Sequence, residues 1–222
     1  MGRIDHLMIL PIVLPMVAGA VMLLINERHR LLKGAIDLGS ILALLGVAIA
    51  LLKASDAAPV GMASEVGVYR LGDWPAPFGI VLVVDRLSAL MLVLTSLLAL
   101  ASAVFSLARW HRAGAHFHSL LQFLLMGLNG AFLTGDLFNL FVFFELLLAA
   151  SYGLVLHGSG VARVRAGLHY IAVNLGASLL FLIGVSLIYG VTGTLNMADL
   201  AVRIPEVQPG DRALLEAGAA IL

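Results

Sequence analysis

Long apolar runs separated by short polar segments dominate the 222-residue sequence. A helix needs roughly 20 apolar residues to cross about 30 Å of hydrocarbon, and six runs are of about that length. They are Leu7–Ile25, Ala35–Leu52, Leu87–Ala108, Ser119–Gly135, Phe138–Leu156 and Leu168–Val191, and a seventh begins near Ala213. Because an open sheet edge would leave backbone groups unbonded in lipid, the runs are predicted to be helices. The pattern therefore predicts an all-α polytopic membrane protein with six transmembrane helices and the start of a seventh.

The longest connection between runs, residues 53–84, has a different pattern. It mixes turn residues with short β-branched runs, which favours a small external hairpin. Its aromatic residues Tyr69, Trp74 and Phe78 are predicted to lie at the level of the lipid headgroups.

Basic residues concentrate in alternate connections, where Glu27 is the one acid. These residues are Arg28, Arg30, Lys33, Arg109, Arg112, Arg163 and Arg165. By the positive-inside rule these connections are cytoplasmic, so the N-terminus is predicted to lie outside.

Composition supports the membrane class. Hydrophobic residues make up 61% of the chain and charged residues 12%, against about 45–50% and 25% in soluble domains. The formal net charge is zero, which argues against a nucleic-acid partner. The sequence has no cysteine, no metal-spaced histidine pair and no phosphate-binding glycine loop, so no cofactor or metal site is predicted.

Glu145 is the strongest candidate for chemistry, because this carboxylate lies in the middle of the fifth apolar run. A charge at bilayer depth costs about 2.5–3.5 kcal/mol on insertion scales, and such residues usually face a bundle interior or a water-filled path. Glu145 therefore indicates proton or ion translocation. The alternative is a neutral glutamate that is hydrogen-bonded between helices.

The depths of three further polar residues follow from a helix rise of 1.5 Å per residue. Glu145 is about 17 Å from the cytoplasmic end of its run, and Asn129 and Ser178 reach the same level. They are predicted to form a supporting polar layer, or alternatively to join helices. His169 lies about 3 Å inside the cytoplasmic end of the sixth run. It is a candidate proton relay or a structural histidine at the interface.

Other polar positions have weaker claims. Asp37 and Asp136 are interpreted as solvated helix-end carboxylates, and the small residues at 176–178 are predicted to let helices approach closely. Three histidines are interpreted as loop or interface residues: His116, His118 and His157.

Five stretches of the sequence carry a resemblance to a known family. They are Gly127–Glu145, Tyr69–Ile80, Asp85–Met91, Arg163–Tyr170 and Gly190–Leu200. Over essentially its whole length the chain resembles the N-terminal part of the D subunit of the Mrp (also called Pha) monovalent cation/proton antiporters. The wider superfamily includes the antiporter-like membrane subunits of respiratory complex I and of membrane-bound hydrogenases.

The resemblance implies a fold built from two inverted repeats around a polar axis at the midplane. It divides the chain into residues 1–116, helices one to three with an external loop at 53–84, and residues 117–222, the start of the first repeat. It also implies that Glu145 is an essential transfer carboxylate, paired in the family with a lysine on a broken seventh helix. His169 falls where relatives often carry lysine, on the continuing proton path.

The implied function is that of a membrane subunit of a multi-subunit Na+(K+)/H+ antiporter in the cell (plasma) membrane, a transporter subunit and not an enzyme. Its implied partners are other Mrp/Pha-type subunits. Two alternatives stay open: a proton-pumping membrane subunit of an NADH–quinone oxidoreductase or hydrogenase, and an assembly scaffold. The lysines Lys33 and Lys53 are predicted to lie in loops, and the apolar end at Leu222 resembles an interrupted span. The chain is therefore expected to be an N-terminal fragment that is inactive alone.

Overall fold

The computed structural model describes residues 5–56, 66–74, 79–108, 110, 113–158 and 160–222. Of the residues that the sequence analysis uses, Phe78, Arg109 and Arg112 lie outside this part. The helices are α1 (Leu10–Leu24), α2 (Arg30–Ser55), α3 (Arg86–Ala108), α4 (Phe117–Leu133), α5 (Leu137–Val155), α6 (Val161–Thr192), α7 (Met197–Arg203) and α8 (Arg212–Ile221). The strands are β1 (Gly67–Arg70) and β2 (Val81–Val84).

Each of the first six helices overlaps one of the six predicted apolar runs, and α8 begins near Ala213, where the seventh run begins. Four of them, α2, α3, α5 and α6, are long and apolar enough to cross a membrane, while α1 and α4 are apolar but shorter. The prediction of a polytopic helical membrane protein is confirmed at this level.

The predicted hairpin is present and marks one end of the bundle. Its strands β1 and β2 pair antiparallel, from Gly67 opposite Val84 to Arg70 opposite Val81. The amide of Gly135 in the α4–α5 turn donates to the Val81 carbonyl at 2.8 Å, and Met8, Leu82 and Leu133 share one buried core. We call this the hairpin end.

The opposite end collects the connections in which basic residues predominate, and we call it the basic end. Here Glu27, after α1, lies 3.0 Å from the His116 ring, before α4. The rings of Phe117 and His157 are 5.3 Å apart, which brings the start of α4 against the end of α5.

Small residues allow two close helix contacts. A Cβ on Gly127 would lie 2.6 Å from the backbone nitrogen of Leu147, so the α4 and α5 backbones meet there. Along α6 the close approach is at Gly184 against Gly218 of α8. Among the described residues nothing lies within contact distance of a Cβ at Gly176, so the close approach expected at 176–178 stays a prediction.

Candidate functional site

Glu145 lies in α5 with its side chain half-buried. Its Oε1 atom is fully buried and has no hydrogen-bond partner among the described residues. A buried carboxylate oxygen without a partner has a high free energy, because burial removes water and nothing replaces its hydrogen bonds. The alternative was that Glu145 is hydrogen-bonded between helices. Among the described residues, Oε1 makes no such bond.

The turn before α5 fixes the start of the helix that carries Glu145. Asp136 accepts a hydrogen bond from the Asn139 amide at 2.9 Å, which is the N-cap geometry. Asp136 is 8% exposed. Its interpretation as a solvated carboxylate is wrong, because it caps α5 inside the hairpin end, where it also bridges to Asn196.

Contacts between helices give the relative heights of the predicted polar layer. Gly127 lies against Leu147 and Gly130 lies against Phe143, so Glu145 is level with Asn129 in the antiparallel pair α4–α5. On the other side of α5, Phe144 packs edge-on against Phe181, with ring centroids 6.0 Å apart. Ser178, one turn from Phe181, is therefore near the same height.

Asn129 does not face Glu145 in a shared cluster, since its side chain reaches α1. Its Nδ2 donates to the carbonyl of Pro11 at 2.9 Å. In a regular helix that carbonyl would bond the amide four residues later, but that residue is Pro15, which has no N–H. Asn129 thus supplies the donor that Pro15 lacks, and it joins α4 to α1.

Ser178 lines a cavity between α5, α6 and the end of α8. The cavity has a volume of about 330 Å³, and its wall also includes Phe141, Phe144 and Asn174. Phe144 immediately precedes Glu145. The cavity wall is mainly apolar with two polar side chains, and Glu145 is not part of it but follows Phe144, which is.

His169 is exposed on α6, and its Nδ1 lies 2.9 Å from the carbonyl of Arg165 on the same helix. Side chains between His169 and Glu145 were missed by the sequence analysis. The Tyr170 hydroxyl is 3.2 Å from Ser151 Oγ on α5, and the rings of Tyr152 and Tyr170 are 5.7 Å apart. Tyr152 is also close enough to Glu145 to interact with its charge. The spacing of seven residues, or two helical turns, places Tyr152 on the same face of α5 as Glu145, and this pattern could have identified Tyr152 from the sequence.

Both lysines lie in a helix and not in loops. Lys53 is in the last turn of α2, and Lys33 is in its first turn, 2% exposed. The Lys33 ammonium bonds the Glu27 carboxylate. Partial burial acts to raise the pKa of Glu27, but this ion pair, with His116 beside it, holds that pKa below its usual value. Lys33 is thus paired with Glu27.

A second carboxylate site lies between α2 and α4, where sequence analysis predicted none. Asp37 is fully buried, with Oδ1 accepting from Gln122 Nε2 at 2.7 Å and Oδ2 lying 2.7 Å from His118 Nδ1. The interpretation of Asp37 as a solvated helix-end residue is wrong, because α2 begins at Arg30, almost two turns earlier. His118 does not lie in a loop, since it is in the first turn of α4, where it is 5% exposed.

His157 is buried at the basic end. His157 is 5% exposed, and its Nε2 lies 3.1 Å from the Trp110 carbonyl. Among the described residues, no group of three or more His, Cys, Asp or Glu side chains is arranged to hold a metal ion.

Comparison with known proteins adds the family. Residues 134–217 match the family described as NADH:quinone oxidoreductase/Mrp antiporter, TM. The chain is 66% identical over 219 residues, 99% of its length, to the D subunit of a probable K(+)/H(+) antiporter of Rhizobium meliloti. It is 40% identical over 209 residues, 92% of its length, to the D subunit of the Na(+)/H(+) antiporter of Alkalihalophilus pseudofirmus. The resemblance to the D subunit of the Mrp-type antiporters is confirmed.

A solved structure shows the same resemblance. A chain in the structure of the Mrp complex from a Dietzia species matches the whole of this chain with a TM-score of 0.85 and 36% identity. The chain spans 40% of the length of that chain and of the two curated relatives. The relatives are named as antiporter subunits and not as enzymes.

Proposed function

We propose that the subunit containing this chain exchanges Na+ or K+ for protons across the plasma membrane, and that Glu145 carries the proton or cation. The observation that supports this most is the buried Glu145 Oε1 atom, which has no hydrogen-bond partner among the described residues. An ionisable residue at membrane depth is costly and usually serves transport. The two curated relatives are named for K(+)/H(+) and Na(+)/H(+) antiport.

His169 relays protons between Glu145 and the basic end. The contacts of Ser151 and Tyr152 with Tyr170 lie between these two residues and connect α5 to α6. Hydroxyl groups both donate and accept hydrogen bonds, so they can pass a proton along a chain of groups. Of the supporting polar residues, Ser178 provides a polar group in the cavity wall, and Asn129 holds α1 against α4.

The proposed topology and partners are those of the Mrp-type antiporters. The basic end is cytoplasmic and the N-terminus lies outside, with six spans and the start of a seventh. Residues 117–222 form the start of the first antiporter-like repeat, preceded by the helices of residues 1–116. The subunit assembles with other Mrp-type subunits, which the designation of the relatives as D subunits and the matching chain in an Mrp complex support.

A redox-driven proton pump is the second candidate, because the matching family also covers NADH:quinone oxidoreductase. The antiporter and the redox-driven pump differ in their source of energy. An antiporter moves cations when only a proton gradient is present, whereas a redox-driven pump needs an electron donor. Transport in vesicles without a donor separates the two candidates.

Glu145→Gln in the intact subunit, within its complex, tests the proposal. Cation/proton exchange in everted vesicles should fall by roughly 100-fold or more, which is the range for loss of a positioned proton-transfer group. Gln retains the size of the side chain but cannot ionise, so assembly should be unaffected. Glu206→Gln, which removes an exposed carboxylate after α7, is the matched control and should retain full exchange.

The relay has its own variant. His169→Gln should slow exchange less than Glu145→Gln and shift its pH profile, while His29→Gln, at an exposed histidine before α2, should do neither. Full exchange by an assembled Glu145→Gln complex would favour the scaffold alternative and would overturn the proposal.

A further inference from the structure

The buried polar cluster around Asp37 lies outside residues 134–217, which match the family, and outside the proposed path through Glu145. Its carboxylate has partners on both oxygens, His118 and Gln122, and the amide oxygen of Gln122 accepts from Ser40 Oγ at 3.1 Å. All four side chains are buried, with exposed fractions between 0 and 7%. The cluster joins α2 to α4 in the interior of the bundle.

Helix packing alone does not account for these residue types. A buried ion pair is weak evidence for stability, because apolar side chains of the same volume often stabilise as well or better. A carboxylate in contact with an imidazole forms a unit that can gain or lose one proton near neutral pH. The contact of Asp37 with His118 therefore has the chemistry of a proton-binding site.

A series of titratable groups leads from this pair to the basic end. Lys33 lies one turn before Asp37 on α2, and its ammonium bonds Glu27. Glu27 in turn lies 3.0 Å from His116, and these two side chains are 32% and 47% exposed. The His118 ring packs beside Gly34, where a Cβ would lie 3.8 Å from Nε2. Burial therefore decreases from Asp37, His118 and Lys33, which are buried, to Glu27 and His116, which are partly exposed.

Within the described ranges of α1 and α3, the other helices that pack against the cluster contribute no charge near it. The sequence of α1 from Leu10 to Leu24 contains no charged residue, and the one in α3 is Arg86, at the hairpin end. Arg30, the first residue of α2, donates to the Glu27 backbone carbonyl. Among the described residues, the charged and titratable groups nearest the pair are Lys33 and, through it, Glu27 and His116.

We propose that Asp37 and His118 form a proton-binding site separate from Glu145, in exchange with the basic end through Glu27 and His116. One proton taken up converts a carboxylate facing a neutral imidazole into a carboxylate facing an imidazolium. The charge of the pair changes from −1 to 0, and only an N–H bond is made. Antiport activity is not required for this binding.

Infrared difference spectroscopy of the intact subunit, titrated between about pH 5 and 8, tests the site directly. With isotope-labelled histidine, the wild type should show an imidazole protonation band that His118→Gln removes. Asp37→Asn should alter that band, because the imidazole of His118 then faces an amide in place of the carboxylate. Glu145→Gln should leave the band in place.

The matched control is His157→Gln, at a histidine of equal burial that contacts the Trp110 carbonyl. It should leave the Asp37-dependent band unchanged. After a pH jump, Glu27→Gln should slow the appearance of the band several-fold, whereas Glu206→Gln should not. An unchanged spectrum in a folded His118→Gln protein would overturn the site, and an unchanged rate in Glu27→Gln would overturn the route.

If the variants do not fold, the site can still be tested by a measurement on the unmutated protein. Solid-state NMR of the unmutated subunit, labelled at aspartate Cγ and histidine nitrogen, selects His–Asp contacts by their dipolar coupling. In the described part of the chain, His118 with Asp37 is the one His–Asp ion pair. Its imidazole signals should change from neutral to cationic across the titration, and constant signals would refute the proposal.

Discussion

The surroundings of Asp37 and Glu145 are opposite in kind. Asp37 has both carboxylate oxygens bonded and its side chain fully buried between α2 and α4. Glu145 is half-buried, with a buried Oε1 that lacks a partner among the described residues. Both carboxylates stand in apolar helices, so the difference between them comes from their neighbours.

The helices around them differ in the same sense. In α2 and α3, 33% of the most apolar stretch is buried, against 17% in α5 and α6. Asp37 is enclosed by the packing of α2 against α4, whereas a cavity of about 330 Å³ lies between α5, α6 and α8. A carboxylate in the first region gains fixed partners, and one in the second retains room for ions, water or a further helix.

The comparison shows that the burial of a membrane carboxylate does not decide whether its oxygens are already hydrogen-bonded or are free to bind an ion, water or a proton. Polar groups in lipid must be bonded or must serve a function that offsets their cost. Asp37 meets the first condition through His118 and Gln122. In the proposed function Glu145 would meet the second condition, because ions or water would bond its Oε1 during transport.

Replacement of each carboxylate by leucine gives the largest expected contrast. Asp37→Leu should lower the free energy of unfolding by about 3–5 kcal/mol, because His118 and Gln122 lose their buried partner. Glu145→Leu should change it by less than about 1 kcal/mol or raise it, since an unbonded carboxylate is removed. Thermal unfolding of the intact subunit in detergent measures both.

Asp37→Asn is the control for size, because it retains the hydrogen bond from Gln122 in one amide orientation. It should cost less than Asp37→Leu. Equal losses for the Leu variants of Asp37 and Glu145 would contradict the comparison, because they would mean that Glu145 is bonded as firmly as Asp37.

The contact between Asn129 and Pro11 sharpens the contrast at the height of Glu145. Asn129→Leu should cost about 1–3 kcal/mol, because the Pro11 carbonyl then has no donor in the bundle. Pro15→Ala restores an amide at the position that a regular helix uses for this bond. The double variant should therefore recover much of the loss in a double-mutant cycle of thermal unfolding. Additive losses would show that the carbonyl was not the cause.

Asp85, just before α3, gives the smallest effect and serves as a reference for a carboxylate with local partners. Hydrogen bonds from the Ser88 amide and hydroxyl, each 2.7 Å long, hold the pKa of Asp85 below its usual value, against a smaller effect of burial. A lowered pKa stabilises the fold above the ordinary carboxyl pKa of 3.8, and this stability is lost as the pH falls through the folded value.

Ser88→Ala should cost about 0.5–1 kcal/mol at neutral pH. It should also make the loss of stability in acid smaller, because the pKa of Asp85 in the folded protein moves back toward its usual value. Unfolding curves measured between neutral pH and the acid limit of the protein check this. Ser106→Ala, which removes a hydroxyl bonded to the Ala103 carbonyl of its own helix, should show no such change with pH.

Local patterns predict most of the fold. The helices α2, α3 and α5 begin and end within a few residues of the runs, because hydropathy and helix caps act over short distances. The hairpin was predictable for the same reason. The sixth apolar run is shorter than α6, which begins at Val161 and not at Leu168. The first two turns of α6 include Arg163 and Arg165, so hydropathy does not mark them as part of the helix.

The sequence by itself determined that the protein is helical and membrane-spanning and that Glu145 stands where a charge is costly. Only the tertiary structure decided which polar side chains meet. The partners Asp37 and His118 are 81 residues apart, and Asn129 and Pro11 are 118 apart. Hydropathy depends on the residues of one segment, whereas these contacts depend on the rotation of each helix about its axis, which is set by packing against helices distant in sequence.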